Sequence, residues 1–316
     1  MTIVRMLGTR ILLSILTLVL VSIIIFGLLE VLPGDVATRI LGRDATPEAL
    51  ALLRAKLHLN DPTIVRYFNW LGGILRGDFG VALTSSRPIT DILAPRLFNT
   101  VLLSLYAFVI YIPLSLIPAL IQASRRDQEV DHVISIVNLV FLSIPDFLLG
   151  TLLLVAFCVA IPILPAVSMV DESSSALQYL RAMTLPAITL AIAMAIAAVR
   201  MLRDNLIEVL DSDYVRMAEL KGLPPRAVLL RHALPNALVP TLNVTAINLG
   251  YLIGGVVIVE KVFSYPGFGR LLVDSLQYRD IPLIEASVII AAAVYVGANL
   301  LADLGAILLN PRLRNG

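Results

Sequence analysis

A chain of 316 residues that is 58% hydrophobic and 15% charged, with a mean hydropathy of +0.90, carries more apolar surface than a water-soluble domain of that length can bury, so the bilayer must be part of its solvent. A formal net charge of +1 gives no reason to expect a nucleic-acid partner. A single cysteine, Cys158, excludes an internal disulfide framework and a cysteine-rich metal site, and within its apolar run it reads as a small buried hydrophobe.

The first element, residues 11–29, is a run of 19 residues without charge, long enough to cross about 30 Å of hydrocarbon as a helix. It lacks the small-residue cleavage site of a signal peptide and reads as a retained span. The next segment, residues 31–99, is punctuated by turn-forming pieces: "LPGD" at 32–35, "NDP" at 60–62 and "RGDFG" at 76–80. These suggest a small folded outer segment, either a cap or a gateway for a substrate or partner. Its "TPEALALLRAKLHL" (46–59) predicts a helix with Thr46 as N-cap and Pro47 at the first helical position.

Five more apolar runs follow, near residues 101–121, 133–160, 182–199, 237–259 and 286–309, so an all-α integral membrane protein with six transmembrane helices is expected. Pro186 falls in the first turn of the fourth run, where it costs little. Pro113, Pro118 and Pro145 fall inside runs, where neighbouring helices must satisfy the freed carbonyls. Orientation follows from Lys and Arg in the short connections. With a cytoplasmic N-terminus, the inside holds Arg5, Arg10, Arg125, Arg126, six between Arg200 and Arg231, Arg312 and Arg314: twelve, against Arg181, Lys261, Arg270 and Arg279 outside. Both termini are thus expected in the cytoplasm.

Enzymatic constellations are missing. There is no HExxH or GxSxG, and His58, His132 and His232 lie in three different connections without a partner at catalytic or metal-binding spacing. None of the lysines, Lys56, Lys221 and Lys261, completes a phosphate-cradling GxxxxGK[ST], so any nucleotide energy must come from a partner. Two carboxylates lie within apolar runs, where ionisable groups are costly. Asp146, after Pro145 in "SIPDFLLG", lines a polar pathway or caps the helix restarting there; Asp303, near the end of the last run, reaches the interface. Asn138, Asn243 and Asn248 are polar enough to line a pathway, and helix-helix contacts explain asparagines equally well.

The segment 211–236 breaks the apolar pattern with "DYVRMAELKGLPPRAVLLRHALPN". Ser212 or Asp213 can cap a helix on which Tyr214, Met217 and Ala218 share a face. Gly222 suits its left-handed close, and Leu223 before Pro224 is pushed to an extended conformation. Pro224 or Pro225 opens a second helix with Ala227, Leu230 and Leu234 as its stripe, which Pro235 ends or kinks. This bracket of helix, turn, helix and kink can pass a push to the span behind it. A helix pair lying on the lipid surface is the duller account, but it needs neither Gly222 nor Pro235.

The bracket resembles the EAA loop of ABC transporter permeases. Arg216, Met217 and Ala218 stand at the EAA positions, Gly222 at the glycine, and His232, Ala233, Leu234 and Pro235 at the ending. "LPGD", "RGDFG", "RLFNT" (96–100) and "VEKVFSYPGFGRLLVDSLQYRDIPLIEA" (259–286) are similar, in order, to the dipeptide, oligopeptide and nickel branch, and the long outer segment to its B-type subunit. The resemblance implies a type I ABC importer permease of the bacterial inner membrane: an N-terminal span at 1–30, an extracytoplasmic segment at 31–99, and a transmembrane domain at 100–309 with its coupling loop at 211–236. It further implies a second homologous permease, two ATP-binding subunits that carry ATP and Mg, and an extracytoplasmic binding protein, with no cofactor on this chain. Tyr214, Arg216, Met217, Ala218 and Leu220 would be the docking surface, supported by Gly222, His232, Leu234 and Pro235. Peptides are the expected cargo, with nickel chelates, oligosaccharides or opines as alternatives. An ion-coupled secondary transporter using Asp146 is the reading from another class.

Overall fold

The computed structural model describes residues 3–31, 46–56, 60–168 and 175–309, without the side chains of residues 3–7, 53, 56, 242–244, 246–255 and 301–309. The "LPGD" turn, His58 and the side chains of Asn243, Asn248 and Asp303 fall outside this description. The described chain is helical, with one isolated antiparallel bridge between Val81 and Pro88. It divides into two compact units, Met1–Phe98 with Leu271–Gly316, and Asn99–Arg270.

In the first unit, α1 (Ile3–Val31) packs on α12 (Ile281–Leu309), which follows α11 (Phe268–Tyr278). Among the described residues before Ile89, two short helices follow α1: α2 (Pro47–Lys56) and α3 (Thr63–Leu75). Thr46 Oγ1 accepts from the Ala49 amide at 3.3 Å, the predicted N-cap bond. Neither helix shows a buried described residue, so these two do not build a core of their own. In "RGDFG" the Asp78 carboxylate accepts from the Gly80 amide at 2.9 Å, and the Thr84 amide and hydroxyl donate to Asp280 Oδ2 at 2.9 and 2.8 Å. The hairpin-like turn before α4 (Ile89–Ser124) is thereby tied to the start of α12.

The second unit is built around α7 (Ala176–Leu210), most of whose length is buried. Its Ala187, Ala191, Ala195 and Ala198 are all buried, and small side chains let helix backbones approach closely where no water drives association. Against α7 pack α5 (Glu129–Leu142), α6 (Asp146–Leu154) with its wide π-helical extension Val155–Ala160, and α10 (Leu234–Val262). Leu103, Tyr111, Met194, Val259 and Phe263 belong to the main core, with Cys158 half-buried at its edge.

Two expectations about proline need correction. The third apolar run is not one helix: after Leu142 the chain turns by 105° through Ser143–Pro145 and restarts at Asp146. Proline forbids the helical hydrogen bond at the break, and the restarting helix takes its direction from packing on α7 and α10. Pro186 lies in the interior of α7, because a capping box between Ser175 and Gln178 starts that helix at Ala176, before the apolar run. The carbonyl that Pro186 leaves without its helical donor, that of Ala182, instead accepts from buried Ser168 Oγ at 2.7 Å. Among the described residues, four helices are long and apolar enough to cross a membrane, in α1, α4, α7 and α12, and the bent pair could make a fifth. The 29-residue α10 occupies the remaining predicted run.

Candidate functional site

The 211–236 bracket contains α8 (Asp213–Leu220), a tight turn, α9 (Pro225–Ala227) and a wide π-helical turn, Val228–Ala233, that runs directly into α10. Ser212 sits at the N-cap of α8, but its hydroxyl turns back to donate to the Val209 carbonyl at 2.5 Å. The capping expectation thus holds for position and not for the side-chain bond; Asp213 in the first turn meets the positive end of the helix instead.

The end of α8 is a Schellman motif. The Gly222 amide donates to Glu219 O at 2.8 Å and the Leu223 amide to Ala218 O at 3.4 Å, with Gly222 at φ +76°. That backbone conformation is the reason for glycine there.

Alternation of burial on α8 splits the predicted docking residues. Val215 and Ala218 turn inward onto Val228, Val209 and Leu210, forming a small core beneath the helix. Tyr214, Met217 and Leu220 point outward at 47%, 55% and 76% exposure, with Arg216 exposed beside them. Ala218 therefore sets the seat of α8 rather than its outer surface. Tyr214 is pinned as well: its hydroxyl donates to the His232 carbonyl at 3.2 Å and accepts from Asn236 Nδ2 at 2.8 Å, while that amide also donates to His232 O at 3.0 Å. His232 thus contributes its backbone.

The second-helix stripe comes out differently from the expectation. Val228 and Ala233 are the buried positions, Leu234 is half-buried and Leu230 is exposed, because the wide turn rotates the face away from a 3.6-residue repeat. Pro235 does not end the helix: it lies in the first turn of α10, which continues directly from the wide turn Val228–Ala233.

A buried ion pair behind the bracket has no counterpart among the residues that sequence reasoning singled out. Asp131, fully buried in the first turn of α5, accepts from Arg203 Nε at 2.8 Å and Nη2 at 2.5 Å, a two-pronged pairing. Gln122 Nε2 (3.0 Å) and the Asp127 amide (3.1 Å) donate to the same carboxylate. Nearby, Arg126 pairs with Asp211 at 2.8 Å, joining the turn after α4 to the start of the bracket. The only signals in the sequence were an acid two residues before an apolar run and an arginine four residues beyond another.

Between α4, α5 and α7 this network borders a cavity of about 630 Å3 lined by Gln122, Ser135, Asn138, Arg200 and Asn205 among others. Asn138 lines it and donates to the Ile196 carbonyl at 3.1 Å, a contact between α5 and α7. Asp146 is the half-buried first residue of α6, outside the cavity lining, in the first-turn position that a helix dipole favours.

At the other end of the unit, two of the family motifs meet. Buried Glu260 accepts from Thr100 Oγ1 at 2.5 Å and from the Arg270 amide at 2.9 Å; Asn99 Nδ2 donates to Pro266 O at 2.9 Å, and Tyr265 and Tyr179 donate to Asn99 at 2.8 and 2.7 Å. A Cβ on Gly267 would come 2.0 Å from the Glu260 carboxylate, so a larger residue there would displace that buried, hydrogen-bonded group. Burial pushes the Tyr265 phenol upward, keeping it a proton donor to Asn99.

Residues 111–315 match the family of binding-protein-dependent transport system inner membrane components, and residues 3–104 match the N-terminal region of such membrane components. The chain is 35% identical to a probable peptide ABC transporter permease protein of Sinorhizobium fredii, over 96% of this chain and 97% of that one. It is 34% identical to the glutathione transport system permease protein of Escherichia coli K12, over 94% of this chain and 95% of the relative. With both halves of the chain matched in order, and with apolar helices long enough to span a bilayer, this is a multi-pass inner-membrane protein that belongs to the family of binding-protein-dependent ABC transporter permeases.

Proposed function

We propose that this chain forms half of the translocation pathway of an ATP-driven importer for di- and oligopeptides, and that α8 is its coupling helix. On this reading six helices cross the membrane, both termini are cytoplasmic, and ATP and Mg act on two partner ATPase subunits. A second, homologous permease supplies the other half of the path and an extracytoplasmic binding protein delivers the solute. The peptide assignment draws on the relatives, which are named for peptide and for glutathione transport, both amide-linked cargos.

The observation that carries the coupling role is the construction of α8. Three large apolar side chains, Tyr214, Met217 and Leu220, are displayed on an eight-residue helix whose underside is locked by Val215, Ala218 and Val228. Exposed apolar side chains on a rigid seat fit a partner protein's groove better than they fit water. Moving a two-state protein from 1:99 to 99:1 takes about 5.5 kcal/mol of differential binding. A helix braced against the end of α7 and hydrogen-bonded to the start of α10 can transmit such a load to both; a loose loop would dissipate it.

The test is Gly222→Val in the assembled transporter. A β-branched residue at a left-handed position strains the turn by roughly 1–2 kcal/mol and misplaces α8 relative to α10. Transport should be lost while membrane insertion and assembly of the two permeases persist. Uptake at the parental rate would sink the coupling assignment.

A further inference from the structure

Helix α3 poses a solvation problem. It has 13 residues, "TIVRYFNWLGGIL", with one charged side chain and none of its residues buried by the protein. Ile64, Phe68 and Leu75 stand outward at 67%, 63% and 80% exposure, on one stripe four and seven residues apart. Its other face lies along the C-terminal part of α1. Glu30, one residue before the end of α1, accepts from Thr63 Oγ1 at 3.2 Å and pairs with Arg66. Phe26 meets the rings of Tyr67 and Trp70 at 5.4 and 5.5 Å, and Ser22 shares a 2.8 Å hydrogen bond with the Tyr67 hydroxyl.

These contacts descend α1. From Glu30 to Ser22 is eight residues, about 12 Å along a helix at 1.5 Å per residue. Glu30 closes the apolar run of α1 and therefore marks the membrane boundary, so Trp70, beside Phe26, lies below it. The single cation on the helix is neutralised at that boundary by Glu30. On either side of the strip that α3 covers, Leu20, Ile23, Ile24 and Leu28 of α1 are exposed apolar surface, and α3 continues that surface. Tyr67 and Trp70, rings with a polar tip, lie within about 12 Å below that boundary, and with aliphatic side chains facing outward they match an interfacial helix.

We propose that α3 is immersed in the bilayer interface at the C-terminal end of α1, with acyl chains covering Ile64, Phe68 and Leu75. The segment between the first two spans is then partly a membrane element rather than wholly an aqueous lobe. This inference rests on the chain being a membrane permease and is independent of what it transports.

Trp70 is the only tryptophan of the chain, so its emission reports on α3 alone. For the full chain in phosphatidylcholine vesicles, we expect blue-shifted emission, a loss of roughly twofold when lipids brominated near the headgroup replace ordinary ones, and no effect of aqueous iodide. In the transporter assembled with its second permease, a nitroxide on Phe68→Cys, in a Cys158→Ser background and attached before assembly, should collide with oxygen and be shielded from a water-soluble nickel chelate. Access to the chelate, or iodide quenching of Trp70, would place α3 in water and overturn the proposal. Shielding of Phe68→Cys from both reagents would place another protein on this face and overturn it equally.

Discussion

Ser168 has a single side-chain oxygen, and with it supplies the donor that Pro186 cannot offer to the Ala182 carbonyl in the largely buried α7. Ser168→Ala leaves that carbonyl unpaired away from water. The expected loss is about 1–3 kcal/mol, read as a lower melting temperature in detergent, whereas the exposed Ser175 hydroxyl bonds only within its capping box with Gln178. Asp131 is a second residue of this kind. Removing its carboxylate takes the acceptor from Arg203 Nε and Nη2 and from the Asp127 amide, leaving Arg203 with Asp204 and Gln122 with Ser135 and the residue 131 carbonyl. Asp131→Ala should cost about 3 kcal/mol, the low end for a broken buried pair because Arg203 keeps some access to solvent. In a double-mutant cycle, Asp131→Ala with Arg203→Met should lose less than the sum of the two single changes; additive losses would mean that the pair does not couple.

At the scale of the element, α8 separates a seat from a surface. Met217→Asp and Leu220→Asp change only exposed positions, so the melting temperature should stay within about 0.5 kcal/mol of the parent in stability terms. Transport and the copurification of ATPase subunits should nevertheless fall sharply. Retained ATPase binding in both variants would remove the outer face of α8 from the interface. By contrast Pro235→Ala should change stability and transport little, because the helix already runs through Pro235 from the wide turn into α10. The motif's last proline thus lies at the start of α10, directly after the wide turn Val228–Ala233.

For the whole molecule, the proposed path and lever would draw on an energy source supplied by partner subunits. The chain carries no phosphate-cradling motif, and the network of Asp131, Arg203, Arg126 and Asp211 links the ends of α4, α5 and α7 next to the bracket. Reconstituted alone in liposomes, it should show neither ATP-driven nor gradient-driven uptake of a labelled mixture of di- to pentapeptides. Uptake should appear only on adding the second permease, the ATPases and the binding protein. Accumulation by the single chain under a proton gradient would instead support a secondary transporter.

Much of this was legible in the residue order. Lipid forces backbone hydrogen bonds to close within each segment, so runs of apolar residues had to be helices, and the described helices over residues 3–31, 89–124, 176–210, 234–262 and 281–309 contain five of the six predicted runs. Gly222 was equally legible, because only a left-handed residue closes a helix that way. What remained hidden depended on partners distant in the chain. Whether Pro145 breaks a helix while Pro186 does not turned on Ser168 standing beside Ala182; whether Ala218 faces in or out turned on Val228 lying beneath it. Asp131 gained its role from an arginine 72 residues away. Local sequence determines which backbone conformations are accessible, but which polar group meets which donor, and which face of a helix is covered, is decided only when the chain brings distant segments into contact.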